Sequence, residues 1–248
     1  MAALRAPEGG CPWDLEQTLE TLRPYLLEEA YEVLEVMGRD DAEAHCDELG
    51  DLLFQVVFQS QLRAEQGAFG LADVVDAIAD KLERRHPHVF GDEDARDAGA
   101  VAARWDELKR AEGKGGVEDV PQALPALMRA AKVGRRASKA GFDWPDLRGP
   151  VSALRAELAE LEEAIASGDE AAARRELGDL LFSAVNVARH LEADPELELR
   201  ASTDRFVARL RHVTAALRSR GLEAAGADPE QLDALWQAAK EATSGRPA

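Results

Sequence analysis

Eight carboxylates fall into two sets with one spacing. Glu29 and Glu32 stand three residues apart; Glu48 comes sixteen residues after Glu32, and Asp51 three after that. Glu157, Glu160, Glu176 and Asp179 repeat the pattern. Side chains three apart on a helix share a face, so each set turns two carboxylates of one helix toward two of the next. Four such groups crowded together repel and raise one another's pKa unless a cation neutralises them. Hard divalent cations take oxygen ligands of this kind, and Mg²⁺ keeps positions for water and substrate phosphates. Mn²⁺ accepts the same donors.

The residues around the second pair sharpen this reading. With Glu48 at zero and 100° per residue, Asp51, Gln55 and Gln59 fall within about 80° of one another. Leu49, Leu53, Phe54, Val56 and Val57 cover nearly all the remaining circumference. In the second set Glu176, Asp179, Ser183 and Asn186 form the same wedge. A solvated helix face is broader, so the stripe is expected to look into a lined cavity between helices. Gly50 and Gly178 sit inside these stretches at a cost of about 1 kcal/mol each against alanine, which suggests that a backbone or ligand passes close by.

The elements that must position these groups are helices. Most of the chain has helical composition and a 3.6-residue apolar period, with few alternating β-branched runs. ELGDLLF occurs unchanged at 48–54 and 176–182. Lys81 with Arg85 is echoed by Arg205 with Arg209, and Trp105 with Lys109 by Trp236 with Lys240. The chain therefore reads as a tandem duplication of an all-α unit, each copy with about four main helices. Glycine and proline cluster at 113–125 (GKGGVEDVPQALP). The expected division is a first domain at 1–112, a linker at 113–124 and a second domain at 125–248.

Composition narrows the function. The chain has 248 residues, 46% of them hydrophobic, and 30 basic against 48 acidic residues for a net charge of −18. Such a balance argues against binding a nucleic-acid polymer and leaves an anionic small molecule in need of metal ions or a few placed cations. Two cysteines, Cys11 and Cys46, make neither a four-cysteine zinc site nor a disulfide framework; Cys46 is expected to pack. No stretch reads as a signal peptide or a membrane span. A soluble, cytoplasmic protein with no membrane partner is expected.

Together these residues resemble a known family, the MazG nucleoside triphosphate pyrophosphohydrolases of the all-α NTP pyrophosphatases. The resemblance rests on GCPWD at 10–14, LEEAYEV at 27–33, ELGDLLFQVVF at 48–58, KLERRHPHVF at 81–90, LPALMRA at 124–130, GFDW at 141–144 and ELGDLLFSAVNVARHL at 176–191. It implies tandem helical bundles completed by homodimerisation, and Mg²⁺-dependent hydrolysis of nucleoside triphosphates to monophosphate and pyrophosphate. Glu29, Glu32, Glu48 and Asp51, and Glu157, Glu160, Glu176 and Asp179, match the metal-binding and catalytic sets. Lys81, Arg85 and Lys109, or Arg205, Arg209 and Lys240, match basic positions near the phosphates; the other reading makes them surface cations paired with glutamates. Trp105 and Trp236 either stack on the base or pack a helix end. Asn186 matches a substrate-binding position, which Phe58 occupies in the first copy. The second copy departs from the family pattern at Ala156 and Arg175, where the first has Glu28 and Asp47, and Arg205 replaces a lysine. Tandem members commonly use the C-terminal copy as main catalyst, yet here the N-terminal acidic set is fuller, so which half dominates stays open.

Two other readings compete. A di-iron carboxylate bundle needs two E-x-x-H motifs, and the chain has Glu83 to His86 alone, just before a proline. A non-enzymatic helical dimerisation or regulatory module, with one or both acidic sets decayed, would show neither metal dependence nor turnover.

Overall fold

The computed structural model describes residues 1–91, 97, 99, 101, 104–105, 115–222 and 226–243. The chain divides into two compact units, Met1–Leu108 and Lys109–Ala248. Among the described residues the regular structure is helical throughout.

The first unit is built on α1 (Pro12–Glu16), α2 (Arg23–Val36), α3 (Ala42–Glu65), α4 (Leu71–Arg85) and α5 (Pro87–Phe90). The second has a 3₁₀ turn at Val117–Asp119, then α6 (Ala126–Lys139), α7 (Arg148–Ser167), α8 (Glu170–His190), α9 (Pro195–Ser219) and α10 (Pro229–Thr243). Four main helices per copy is thus an approximation. The first unit has three long helices among its described residues and the second has five.

Duplication reaches the local signals that start the helices. Asp41 caps α3, its carboxylate accepting from the Ala44 N–H at 3.0 Å, and Asp169 caps α8 by accepting from Ala172 at 2.9 Å. Each cap satisfies an N–H that has no partner within its own helix. Between α7 and α8 the turn is made by Gly168 at φ +73°, a left-handed conformation that a Cβ disfavours. That tight turn lays α8 back along α7, and α2 lies against α3 in the first unit.

Each unit has an apolar cluster of its own. In the first unit Leu22, Phe58 and Leu62 are buried, with Met1, Leu19 and Tyr25 packed on them. In the second, Val213, Leu217, Leu235 and Ala239 join α9 to α10, with Trp236 against them. Full burial of a Leu or Phe side chain is worth about 1.5–3 kcal/mol, so these few residues hold together the elements they join.

Candidate functional site

In each unit the helix pair brings three carboxylates together. Oxygens of Glu29 on α2 and of Glu48 and Asp51 on α3 lie within 4.8 Å of one another, as do those of Glu157 on α7 and Glu176 and Asp179 on α8. In both triads the two glutamates are half-buried and the aspartate is exposed. Glu32 and Glu160 are exposed and stand one turn further along α2 and α7. They are outside the tight triads but close enough to act on them electrostatically.

The triads carry the electrostatic signature of crowding. The Glu29 carboxyl is held above its usual range, first by lost hydration and then by repulsion from Asp51, Glu32, Glu28 and Glu48. Glu157 is raised likewise, by lost hydration and then by Glu160, Asp179 and Glu176. Three hard oxygen donors converging from two helices, with an exposed side left for water and phosphate, suit a divalent cation such as Mg²⁺.

Below the triads the stripe is buried at Gln55, Ser183 and Asn186 and half-buried at Gln59. Gln55 is 5% exposed, Ser183 6% and Asn186 5%. Its apolar borders are another matter: Leu49, Leu53 and Phe54, and their counterparts Leu177, Leu181 and Phe182, remain largely exposed within one chain. Nor do the described residues crowd Gly50 or Gly178; beyond its own helix backbone, a Cβ at either would have no neighbour among them within 4 Å. The close approach expected there is not made by any of the described residues. Cys46, expected to pack, is exposed.

The remaining candidates divide into exposed cations and packed side chains. Lys81 is exposed, beside a cleft lined by Phe69, Asp73, Val74, Ala77 and Ile78. Arg85 is buried under Trp105, its guanidinium carbon 5.7 Å from the ring centre, and Trp105 also meets His86 edge-on at 5.3 Å. His86 stays near the end of α4, its Nδ1 2.7 Å from the Leu82 carbonyl. In the second unit Arg205 is exposed, whereas Arg209 donates from Nε to Thr243 Oγ1 at 3.1 Å and so ties α9 to α10. Trp236 packs on Phe206 with centroids 5.3 Å apart, and Lys240 donates to Gln237 Oε1 at 3.3 Å. Lys109 lies outside the described residues.

Beneath the triads the two copies differ. The first is filled by aromatic rings: Trp13 meets Tyr25 and Phe58 edge-on at 5.6 and 6.5 Å, and Phe54 meets Phe58 at 5.7 Å. At the matching positions the second has Ala153 for Tyr25 and Asn186 for Phe58. A polar group that the residue-by-residue reading did not single out surrounds Asn186: Arg189, His190 and Asp143. The spacing of Asn186, Arg189 and His190 along one helix face and the GFDW segment were visible signals. What was not visible is that a loop would bring Asp143 against α8.

Comparison with known proteins agrees with this architecture. The model of the MazG nucleotide pyrophosphohydrolase domain matches residues 17–90 and again 150–215, which contain the two triads. Nucleoside triphosphate pyrophosphohydrolase of Escherichia coli (strain K12) is 46% identical over 247 residues, covering 97% of this chain and 94% of that protein. Nucleoside triphosphate pyrophosphohydrolase/pyrophosphatase MazG of Thermotoga maritima is 41% identical over 244 residues, 97% of this chain and 92% of the other. Nucleoside triphosphate pyrophosphohydrolase of Mycobacterium tuberculosis is 40% identical over 135 residues, 53% of this chain and 41% of its own. With its domain model matched twice and full-length relatives at this level of identity, the chain belongs to the MazG nucleotide pyrophosphohydrolase family.

Proposed function

We propose that this protein hydrolyses nucleoside triphosphates to nucleoside monophosphates and pyrophosphate, with Mg²⁺ held by Glu29, Glu48 and Asp51 and by Glu157, Glu176 and Asp179. Glu32 and Glu160 serve as the outer members of each set. The observation that carries the reading is the repeated convergence of three carboxylates from two helices in a chain whose relatives bear the pyrophosphohydrolase name. When bound, the cation offsets the charge of both carboxylates and triphosphate and polarises the α-phosphate. Water attacks the α-phosphorus, the bond to the bridging oxygen breaks, and pyrophosphate leaves. A carboxylate of the triad accepts the proton that the water gives up. Lys81 and Arg205, both exposed, meet the outer phosphates in this reading, with Lys109 and Lys240 as further cations. Arg85 and Arg209 support them, braced by Trp105 and Thr243. Asn186 contacts the nucleotide in the second unit, and Trp236 supports that site by packing.

A homodimer completes each bundle. The unburied apolar borders of the acidic stripes support it, since contiguous apolar faces of this kind on single chains mark interaction surfaces. The cytoplasm, where nucleoside triphosphates are made and used, is the fitting place for such an enzyme, and removal of unwanted nucleotides from the pool is its proposed role.

The test is pyrophosphate release from a panel of nucleoside triphosphates with Mg²⁺, for the wild type, Glu48→Gln, Glu176→Gln and the double variant. Loss of turnover in one single variant identifies the active half; loss in the double variant alone shows that both halves hydrolyse. A wild type that releases no pyrophosphate from any triphosphate overturns the reading in favour of a non-enzymatic module.

A further inference from the structure

Arg189 stands at the centre of a bonded group in the second unit. It donates from Nη1 to Asp143 Oδ2 at 2.6 Å and from Nη2 to Asp143 Oδ1 at 2.5 Å. His190 Nε2 lies 3.1 Å from the same Oδ1. The side chains are little exposed, 11% for Arg189, 19% for Asp143 and 13% for His190. Arg189 also reaches the Asn186 side-chain oxygen, from Nε at 3.4 Å and from Nη2 at 3.3 Å. α6 closes the group with Gly134, where a Cβ would stand 3.1 Å from both Arg189 Nε and Asn186 Oδ1.

The chemistry of the group determines which way the amide faces. A guanidinium only donates hydrogen bonds, so the oxygen of Asn186 must be the atom turned toward Arg189, and the NH₂ must face away. One hydrogen of that NH₂ goes to the Phe182 carbonyl at 3.4 Å, which leaves the other for an oxygen of a ligand. Asn186 follows Asp179 by seven residues, two helical turns along the same face. The first copy has Phe58, Gln61 and Leu62 at the positions of Asn186, Arg189 and His190. The arginine is thus found in the copy that has the asparagine.

We infer that Arg189, pinned by Asp143, is a positioning residue that holds the Asn186 amide with its NH₂ directed at the nucleotide. The inference rests on the reading that the second unit binds nucleoside triphosphates. A bidentate carboxylate bond fixes the guanidinium plane, and that plane in turn fixes the amide. A lysine at 189 can keep the charge beside Asp143 but cannot bond both partners in one plane.

The experiment measures the dissociation constants of α,β-methylene nucleoside triphosphates of the four common bases, with Mg²⁺, by calorimetry. The full-length chain carries Glu48→Gln so that the second unit is read. Arg189→Lys is expected to weaken binding about fivefold to tenfold while the melting temperature stays near that of the parent. Asn186→Ala is expected to weaken it similarly, and adding Arg189→Lys to Asn186→Ala is expected to change binding no further. Asp143→Asn, which loosens the grip without removing the arginine, is expected to fall between the parent and Arg189→Lys and serves if the lysine variant does not fold. Parental affinity in Arg189→Lys, an equal loss in the presence and absence of Asn186, or no binding by the parent overturns the inference. Binding that follows the expected pattern in a protein whose wild type releases no pyrophosphate would sustain the inference and overturn the proposed hydrolysis.

Discussion

Arg5 grips Glu65 through two parallel bonds across sixty residues of chain, Nε to Oε1 at 2.8 Å and Nη2 to Oε2 at 2.7 Å. The same guanidinium donates to the Asp14 and Gln17 carbonyls and lies 5.8 Å from the centre of the Phe58 ring. The N-terminal segment is thereby stapled to the end of α3, over the aromatic floor of the first site. The bonds hold Glu65 below its usual range and raise Arg5.

Removing this staple is expected to loosen the first unit. Arg5→Ala should lower stability by about 1–2 kcal/mol, the scale of a partly buried, charge-assisted pair, with a smaller loss for Glu65→Gln. Urea denaturation of the two variants beside the wild type measures it. Equal stability of all three would show that the staple contributes nothing to the fold.

In the metal-free protein the triads store repulsion, and neutralising one member should relieve it. Glu29→Gln is expected to raise the melting temperature in EDTA by a few degrees, on the scale of a relieved contact of about 0.5–1 kcal/mol. Mg²⁺ is expected to raise the melting temperature of the wild type further, since a cation that binds only the folded state stabilises it, and to do so less in Glu29→Gln. Scanning calorimetry with and without Mg²⁺ tests both parts. A Glu29→Gln protein less stable than wild type in EDTA would mean that the carboxylate is held by favourable contacts.

Asp143 gives the second unit a dependence on acid. Its carboxyl is held far below the usual range by the bonds from Arg189, against burial, which pushes it up; Ser138, His190 and the Trp144 N–H add to the lowering. The folded protein therefore binds this proton less readily than the unfolded chain does. The resulting stability is fully present above the ordinary carboxylate pKa of about 4 and is lost as pH falls through the lower folded value. Wild type should thus be more stable than Asp143→Asn at pH 6, with a gap that narrows below pH 4. Urea midpoints for the two proteins across pH 3–6 measure the gap, and one that stays constant would refute the assignment.

The apolar borders of the acidic stripes predict self-association. Leu53 is 58% exposed and Leu181 51%, and a charge at either would oppose burial against a second chain. Sedimentation is expected to show the wild type as a dimer and the double variant Leu53→Asp/Leu181→Asp as a monomer that keeps its helical circular dichroism. A wild-type monomer at micromolar concentration would leave these faces to some other contact.

The all-α class, the duplication and the pairing of acidic sets were legible in the linear sequence because each rests on short-range rules. Helical periodicity places Glu48 and Asp51 on one face, and Asp41 and Asp169 start the helices that carry them. The repeated ELGDLLF names the two copies without any need of coordinates. The convergence of Glu29, Glu48 and Asp51 was legible as well, since adjacent helices joined by a short turn must pack side by side.

Other features depend on contacts between segments far apart in the chain, which no local pattern encodes. The sequence offered Trp105 and Trp236 either a base or a helix end. In the structure Trp105 packs on Arg85 and His86, and Trp236 on Phe206. Nor could spacing show that Gly50 and Gly178 meet no other element among the described residues, or that Glu32 and Glu160 stand apart from the tight triads. Arg5 with Glu65 and Asp143 with Arg189 pair residues sixty and forty-six apart. The sequence by itself determined the helices, their duplication and the grouping of the acidic residues, because a helix face follows from residue spacing. Only the tertiary structure decided which side chains brace others and which stay open to a partner, because burial depends on how the helices pack rather than on their order.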